Sequence, residues 1–167
     1  MAEDLNIITG TKAEQYESLL PQISGLLEGE TDLVANLANV VAALKEQFGW
    51  LWVGFYLVKP ALNAASIDNE KELVLAPFQG PVACTRIKKG QGVCGTSWVR
   101  SETLVVPDVE KFPGHIACSS LSRSEIVVPI VRQGNVIAIL DVDSEEPDHF
   151  DEADNFYLNK IVGLIKF

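Results

Sequence analysis

Basic residues are scarce in this chain. Lys and Arg number 13 against 23 Asp and Glu in 167 residues, a formal net charge of −10. That deficit argues against a nucleic-acid partner, because non-specific binding to a phosphate backbone rests on Lys and Arg. It argues equally against anionic membrane surfaces. Taken alone, the acidity reads as a solubility feature. Long apolar runs are missing as well. The longest, over residues 50–58, has strand length, and none reaches the ~18 residues of a membrane span. The first residues, Met1-Ala2-Glu3-Asp4-Leu5, lack a basic stretch followed by an apolar one, so no signal peptide is expected and a cytoplasmic location is. Cysteine is nearly absent: Cys84, Cys94 and Cys118 are all there is. An odd number does not make a secreted disulfide framework. In a reducing compartment a disulfide is more often transient and catalytic.

What is present describes one α+β domain. A chain of this length suits one domain rather than two, and buries about 70% of its unfolded surface without a covalent staple. Residues 31–48 read as a helix. Thr31 is its expected N-cap, and Leu33, Val34, Leu37, Val40, Val41 and Leu44 form an apolar stripe ahead of Gly49. An earlier helix over 12–28 is interrupted by Pro21, and residues 1–30 form an N-terminal helical segment expected to pack on the rest. Strands are expected over 50–58, 72–78, 82–87 (holding Cys84) and 103–106. Residues 59–70 read as an exposed loop and 93–100 as a short helix. Residues 107–125 are irregular, and so long a stretch in a compact domain is usually functional or disordered. Residues 125–131 and 135–142 make a hairpin around Gln133-Gly134. Asp151 opens a last helix with apolar Phe156, Leu158, Ile161, Val162 and Ile165. This order suits an antiparallel sheet with helices against one face.

The candidate chemistry gathers around the cysteines. Cys118 lies in Gly114-His115-Ile116-Ala117-Cys118-Ser119-Ser120, a polar stretch and a poor place for a core residue. A nucleophile carried on a loop fits it better than a small buried hydrophobe. Cys84, on an apolar strand, is open to either reading. Cys94 stands between Gly92 and Gly95 at a helix start, where the helix dipole lowers a thiol pKa, although close backbone packing explains the glycines equally well. Cys84, Cys94, His115 and Cys118 lack the paired spacing of zinc knuckles, so no metal is expected. His149 sits in an acidic turn with no assigned role. Along 136–143, alternation puts Ile137, Ile139, Asp141 and Asp143 on one face. These acids either reach solvent at a strand end or line a cavity, where two negatives would suit an ammonium group. Glu125 opens the preceding strand. A mutual carboxylate cluster would raise one pKa and supply a proton donor near neutrality. Sparse, clustered thiols beside such acids point to thiol redox chemistry on a small polar substrate.

Several runs carry a resemblance. They are Ala76-Pro77-Phe78-Gln79-Gly80-Pro81-Val82-Ala83-Cys84-Thr85-Arg86-Ile87, Gly90-Gln91-Gly92-Val93-Cys94-Gly95-Thr96, Gly114-His115-Ile116-Ala117-Cys118, Ser124-Glu125-Ile126-Val127-Val128-Pro129 and Leu140-Asp141-Val142-Asp143-Ser144. With Trp52-Val53-Gly54-Phe55-Tyr56, they closely resemble the free methionine-(R)-sulfoxide reductases, small GAF-domain enzymes. The resemblance implies a single GAF domain over 1–167, a central antiparallel sheet flanked by helices. It implies that Cys118 is the catalytic cysteine, Cys84 the resolving one and Cys94 an accessory third. Glu125, Asp141 and Asp143 would bind substrate, Glu125 or an Asp would protonate the leaving oxygen, and Trp52 would receive the methyl end. The implied reaction reduces free methionine-(R)-sulfoxide through a sulfenic acid on Cys118 and a Cys84–Cys118 disulfide, with thioredoxin as reductant and no metal or organic cofactor. A homodimer is left open. Two other readings use the same residues: a GAF sensing module without turnover, expected to precede an output domain that the sequence does not carry, and a thiol peroxidase, which needs no ammonium site.

Overall fold

The computed structural model describes residues 4–62, 70–116 and 118–167. The expected loop over 59–70 therefore falls largely outside the described residues. Among the described residues six strands form one antiparallel sheet: β1 (Trp52–Pro60), β2 (Lys71–Gln79), β3 (Arg86–Lys88), β4 (Leu104–Val106), β5 (Ser124–Arg132) and β6 (Asn135–Ser144). Their order across the sheet is β3-β2-β1-β6-β5-β4. The α-helices among the described residues are α1 (Lys12–Leu27), α2 (Leu33–Phe48), α3 (Gly92–Arg100) and α4 (Glu152–Leu164). No helix among the described residues is long and apolar enough to cross a membrane.

Both faces of the sheet are covered, which corrects the expectation of helices on one face only. Helices α1, α2 and α4 pack with Val53, Phe55, Ile126, Val128, Leu140 and Val142 into one core. The opposite face carries a smaller core of Trp52, Tyr56, Leu73, Val93, Trp98 and Ile139, closed by α3. Period-two alternation sorts neighbouring strand residues between the two layers.

Local departures from the expected elements have identifiable causes. Helix α1 runs through Pro21 because Tyr16, Leu19, Ile23 and Leu27 are buried along one stripe while Pro21 and Glu17 face solvent. Water can serve the Glu17 carbonyl that the proline leaves without a donor. The N-cap of α2 is Asp32, not Thr31: its carboxylate accepts from the Ala35 N–H at 2.9 Å. Val34 and Phe156 point outward, at 60% and 54% exposure, and Tyr157 takes the inward place on α4. Cys84 is not on a strand, since β3 begins only at Arg86. The turn of the β5–β6 hairpin has φ of 51° at Gln133 and 76° at Gly134, the left-handed pair that a two-residue hairpin loop requires. Ile130 pairs with Ala138 and Val131 with Val136, so Ile137 is the extra residue of a β-bulge. The bulge turns Ile137 to the helical core, away from the face of Ile139, Asp141 and Asp143 that alternation assigned it.

Candidate active site

Strand pairing lays out the floor of the site. Glu125, Asp143 and Trp52 form one row across β5, β6 and β1, and Val127, Asp141 and Gly54 form the next. Gly54 makes room for the indole: a Cβ there would stand 2.4 Å from Phe78 Cβ and 2.5 Å from Trp52 Cη2. Trp52 stacks against Phe78 at 5.4 Å and Tyr56 at 6.0 Å between centroids. Both polar tips hold the segment that leads into β3. Trp52 Nε1 donates to the Pro81 carbonyl at 3.1 Å, and the Tyr56 hydroxyl donates to the Cys84 carbonyl at 3.0 Å.

Helix α3 closes one wall. It lies so close to the preceding turn that a Cβ at Gly95 would meet Lys88 O at 2.6 Å, and the Gly90 N–H donates to Gly95 O at 3.0 Å. This seats the buried Cys94 thiol 3.9 Å from Glu125 Oε1. The β4–β5 connection supplies the rest. His115 Nε2 lies 3.9 Å from Glu125 Oε2, and the Ser122 hydroxyl donates to Asp143 Oδ1 at 2.5 Å. Cys118 is exposed at the rim and forms a disulfide with Cys84, with Cα atoms 5.7 Å apart. Together these groups line a narrow cleft that opens to solvent at the Cys118 rim.

The chain has a matching family. A GAF domain profile covers residues 32–163. A yeast (Saccharomyces cerevisiae) protein named free methionine-R-sulfoxide reductase is 40% identical over 160 residues, spanning 92% of this chain and 85% of its own. The chain belongs to the free methionine-R-sulfoxide reductases of the GAF family. A family structure, the reductase from Neisseria meningitidis in complex with its substrate, superposes with a TM-score of 0.90 at 53% identity, covering 97% of this chain and 92% of the other. A GAF domain-containing protein A of Dictyostelium discoideum is 66% identical over 99% of both chains.

In this family member, Trp52, Cys94, Cys118, Glu125, Asp141 and Asp143 all face the cleft. Cys84 meets them through its bond to Cys118. The acids are buried or nearly so, and that governs their charge. Burial, and then the charges of Asp141 and Asp143, push the Glu125 carboxyl well above its usual range. Burial and the neighbouring Asp143 do the same to Asp141. Burial raises Asp143 to about 6 against the opposing hydrogen bond from Ser122. The cluster therefore retains at least one proton near neutrality and can both donate it and hold a cation.

Of the two readings left open for Cys94, the structure favours close packing over a lowered thiol pKa. Burial, followed by Asp141, Glu125 and Asp143, pushes its thiol well up. Burial, the larger cause, and the three carboxyl groups on the sheet act against any lowering by the start of the nine-residue helix. Burial lowers the His115 pKa, which favours its neutral imidazole. His149 also has a role: its Nε2 accepts from the Trp50 indole N–H at 3.2 Å. Sequence reasoning missed Tyr56 and Ser122. Tyr56 follows from the alternation that carries Trp52 and Gly54. Ser122 lies in irregular chain that offers no such signal.

Proposed function

We propose that this chain reduces free methionine-R-sulfoxide to methionine with two thiols. The observation that carries the reading is an exposed cysteine, Cys118, already joined to Cys84, above a cluster of buried acids and beside a stacked indole. In the reduced enzyme the Cys118 thiolate attacks the sulfoxide sulfur. Glu125 or a neighbouring acid delivers a proton to the sulfoxide oxygen. The sulfoxide oxygen passes to the Cys118 sulfur, which becomes a sulfenic acid, and methionine leaves with its sulfur reduced by two electrons from the thiol. The Cys84 thiol then displaces hydroxide from the sulfenic sulfur, and water and the Cys84–Cys118 disulfide result. In the disulfide-bonded state the Cα atoms stand 5.7 Å apart, an ordinary separation for such a bond. A dithiol reductant of the thioredoxin class returns the pair to thiols by exchange.

Substrate selection follows from charge. Ionised Asp143 and its buried neighbours favour the α-ammonium of a free amino acid, and Trp52 with Tyr56 offers an apolar wall to the methyl end. A residue within a peptide has no such ammonium. A thioredoxin-coupled NADPH assay with each diastereomer of free methionine sulfoxide tests the reading. Turnover is expected with the R form, and slow or no turnover with the S form and with N-acetylmethionine-R-sulfoxide. Equal rates for the free and N-acetyl compounds would overturn the ammonium site.

A further inference from the structure

We propose that the cleft also binds a thiophilic divalent cation of the Zn²⁺ class, held by Cys94, Glu125 and Asp141, in competition with the amino-acid substrate. Only the competition rests on the function proposed above; the cation site rests on the donor set itself.

The three donors come from three elements. Cys94 projects from α3, Glu125 from β5 and Asp141 from β6. The Cys94 sulfur and one oxygen of each carboxyl group all lie within 4.8 Å of one another, and the Cys94 sulfur stands 3.9 Å from Glu125 Oε1. With zinc bonds of about 2.3 Å to sulfur and about 2.0 Å to oxygen, tetrahedral donors stand roughly 3.5 Å apart. A contraction of a few tenths of an ångström, a side-chain adjustment, would bring the sulfur and Glu125 into that geometry.

A second observation points to a ligand from outside. Asp141 is 8% exposed, and its Oδ1 has no hydrogen-bond partner among the described residues. Buried carboxylate oxygens seldom stand alone. The cleft lining contains neither Lys nor Arg to answer it. A cation entering the cleft would satisfy that oxygen.

The donor chemistry narrows the choice of ion. One thiolate with two carboxylates is a poor match for Ca²⁺ or Mg²⁺, which take oxygen sets. It suits borderline ions such as Zn²⁺ and Co²⁺. His115 stands outside this donor group, with its Nε2 3.9 Å from the other oxygen of Glu125, so the fourth place of the tetrahedron falls to water. Protons on the thiol and the acids leave to solvent as the ion binds. An ion in this position occupies the carboxylates that would receive the substrate ammonium, and turnover stops until it is removed.

The oxidised protein provides the test, because the Cys84–Cys118 bond leaves Cys94 as its one thiol. Co²⁺ titrated into chelator-treated oxidised protein should raise a near-ultraviolet thiolate-to-cobalt absorption that saturates at one equivalent. Zn²⁺ should remove it. Free methionine-R-sulfoxide, which oxidised enzyme does not consume, should weaken Zn²⁺ binding in proportion to its concentration. Cys94→Ser should lose the absorption, and Asp141→Asn should weaken Zn²⁺ binding at least tenfold, with near-ultraviolet dichroism confirming that both variants fold. Absence of the absorption in the wild type, unchanged affinity in folded Asp141→Asn, or independent binding of metal and sulfoxide would each overturn the proposal. Turnover of the reduced, chelator-treated enzyme reports separately on the reductase reading.

Discussion

The phenol of Tyr56 donates a hydrogen bond to the backbone carbonyl of Cys84, across 28 residues of sequence and 3.0 Å of space. A side chain of the cleft wall thus fixes the peptide that carries the proposed resolving cysteine. Removing such a bond costs about 1 kcal/mol. Tyr56→Phe is therefore expected to slow closure of the Cys84–Cys118 disulfide by up to about fivefold, while methionine release in a single turnover changes less. Rapid-quench thiol counting alongside methionine release checks the split. Equal slowing of both steps would place Tyr56 in the first chemical step instead.

The two cysteines of the disulfide should fail differently. Cys118→Ser is expected to form no methionine, even at one enzyme equivalent. Cys84→Ser should still release about one methionine per enzyme and then stop, because sulfenic acid formation precedes resolution. Methionine formed by Cys118→Ser would remove it as the nucleophile, and undiminished thioredoxin-driven turnover by Cys84→Ser would show that Cys94 or the external reductant resolves the sulfenic acid directly.

Asp143 should make the free enzyme less stable as pH rises. Burial lifts its pKa to about 6 from an ordinary 3.8. The folded state therefore holds this proton more tightly than the unfolded chain. No penalty exists below the unfolded value; stability falls as pH rises from about 4 to about 6 and stays lower above that. A displacement of that size is worth up to about 3 kcal/mol. Asp143→Asn, which keeps an acceptor for Ser122, should be more stable than wild type in urea at pH 7 and equal to it near pH 4. Its kcat/KM should nevertheless fall. Unchanged stability at pH 7 would mean that the carboxylate is solvated.

Gly54→Ala should disturb both stability and site. The new methyl would overlap Phe78 Cβ and the Trp52 ring. Overpacking of this kind costs about 1–3 kcal/mol, and a displaced indole should raise KM. A urea midpoint and KM equal to wild type would show that the aromatic stack yields freely.

Much of this arrangement is legible in the sequence because two-residue alternation is a local property. Ile139, Asp141 and Asp143 share a face wherever the strand lies, and so do Trp52, Gly54 and Tyr56. The bulge at Ile137 is not local: it depends on how β5 pairs alongside. The stretch around Cys84 has strand-like composition, yet the carbonyls of Pro81 and Cys84 are taken by Trp52 and Tyr56. For Cys94, the helix start was visible and the three acids facing it were not, since they arrive from strands 31 residues or more along the chain. Ser122 is placed by the path of an irregular segment, which carries no period to read.

The row formed by Glu125, Asp143 and Trp52 bears on how the chain avoids misfolding. A slip of one residue in the alignment of β6 would turn every side chain of that strand over. Asp141 and Asp143 would then enter the apolar layer beneath α1, α2 and α4, while Leu140 and Val142 would face the cleft. Carboxyl groups there would find no cation and little water, at a cost far above what they incur in place. The acids that weaken the native sheet thus penalise its nearest competitor more heavily. Replacing both with apolar residues would strengthen the correct alignment and erase much of its advantage over the wrong one, giving a chain that is more stable once folded and more prone to kinetic traps on the way.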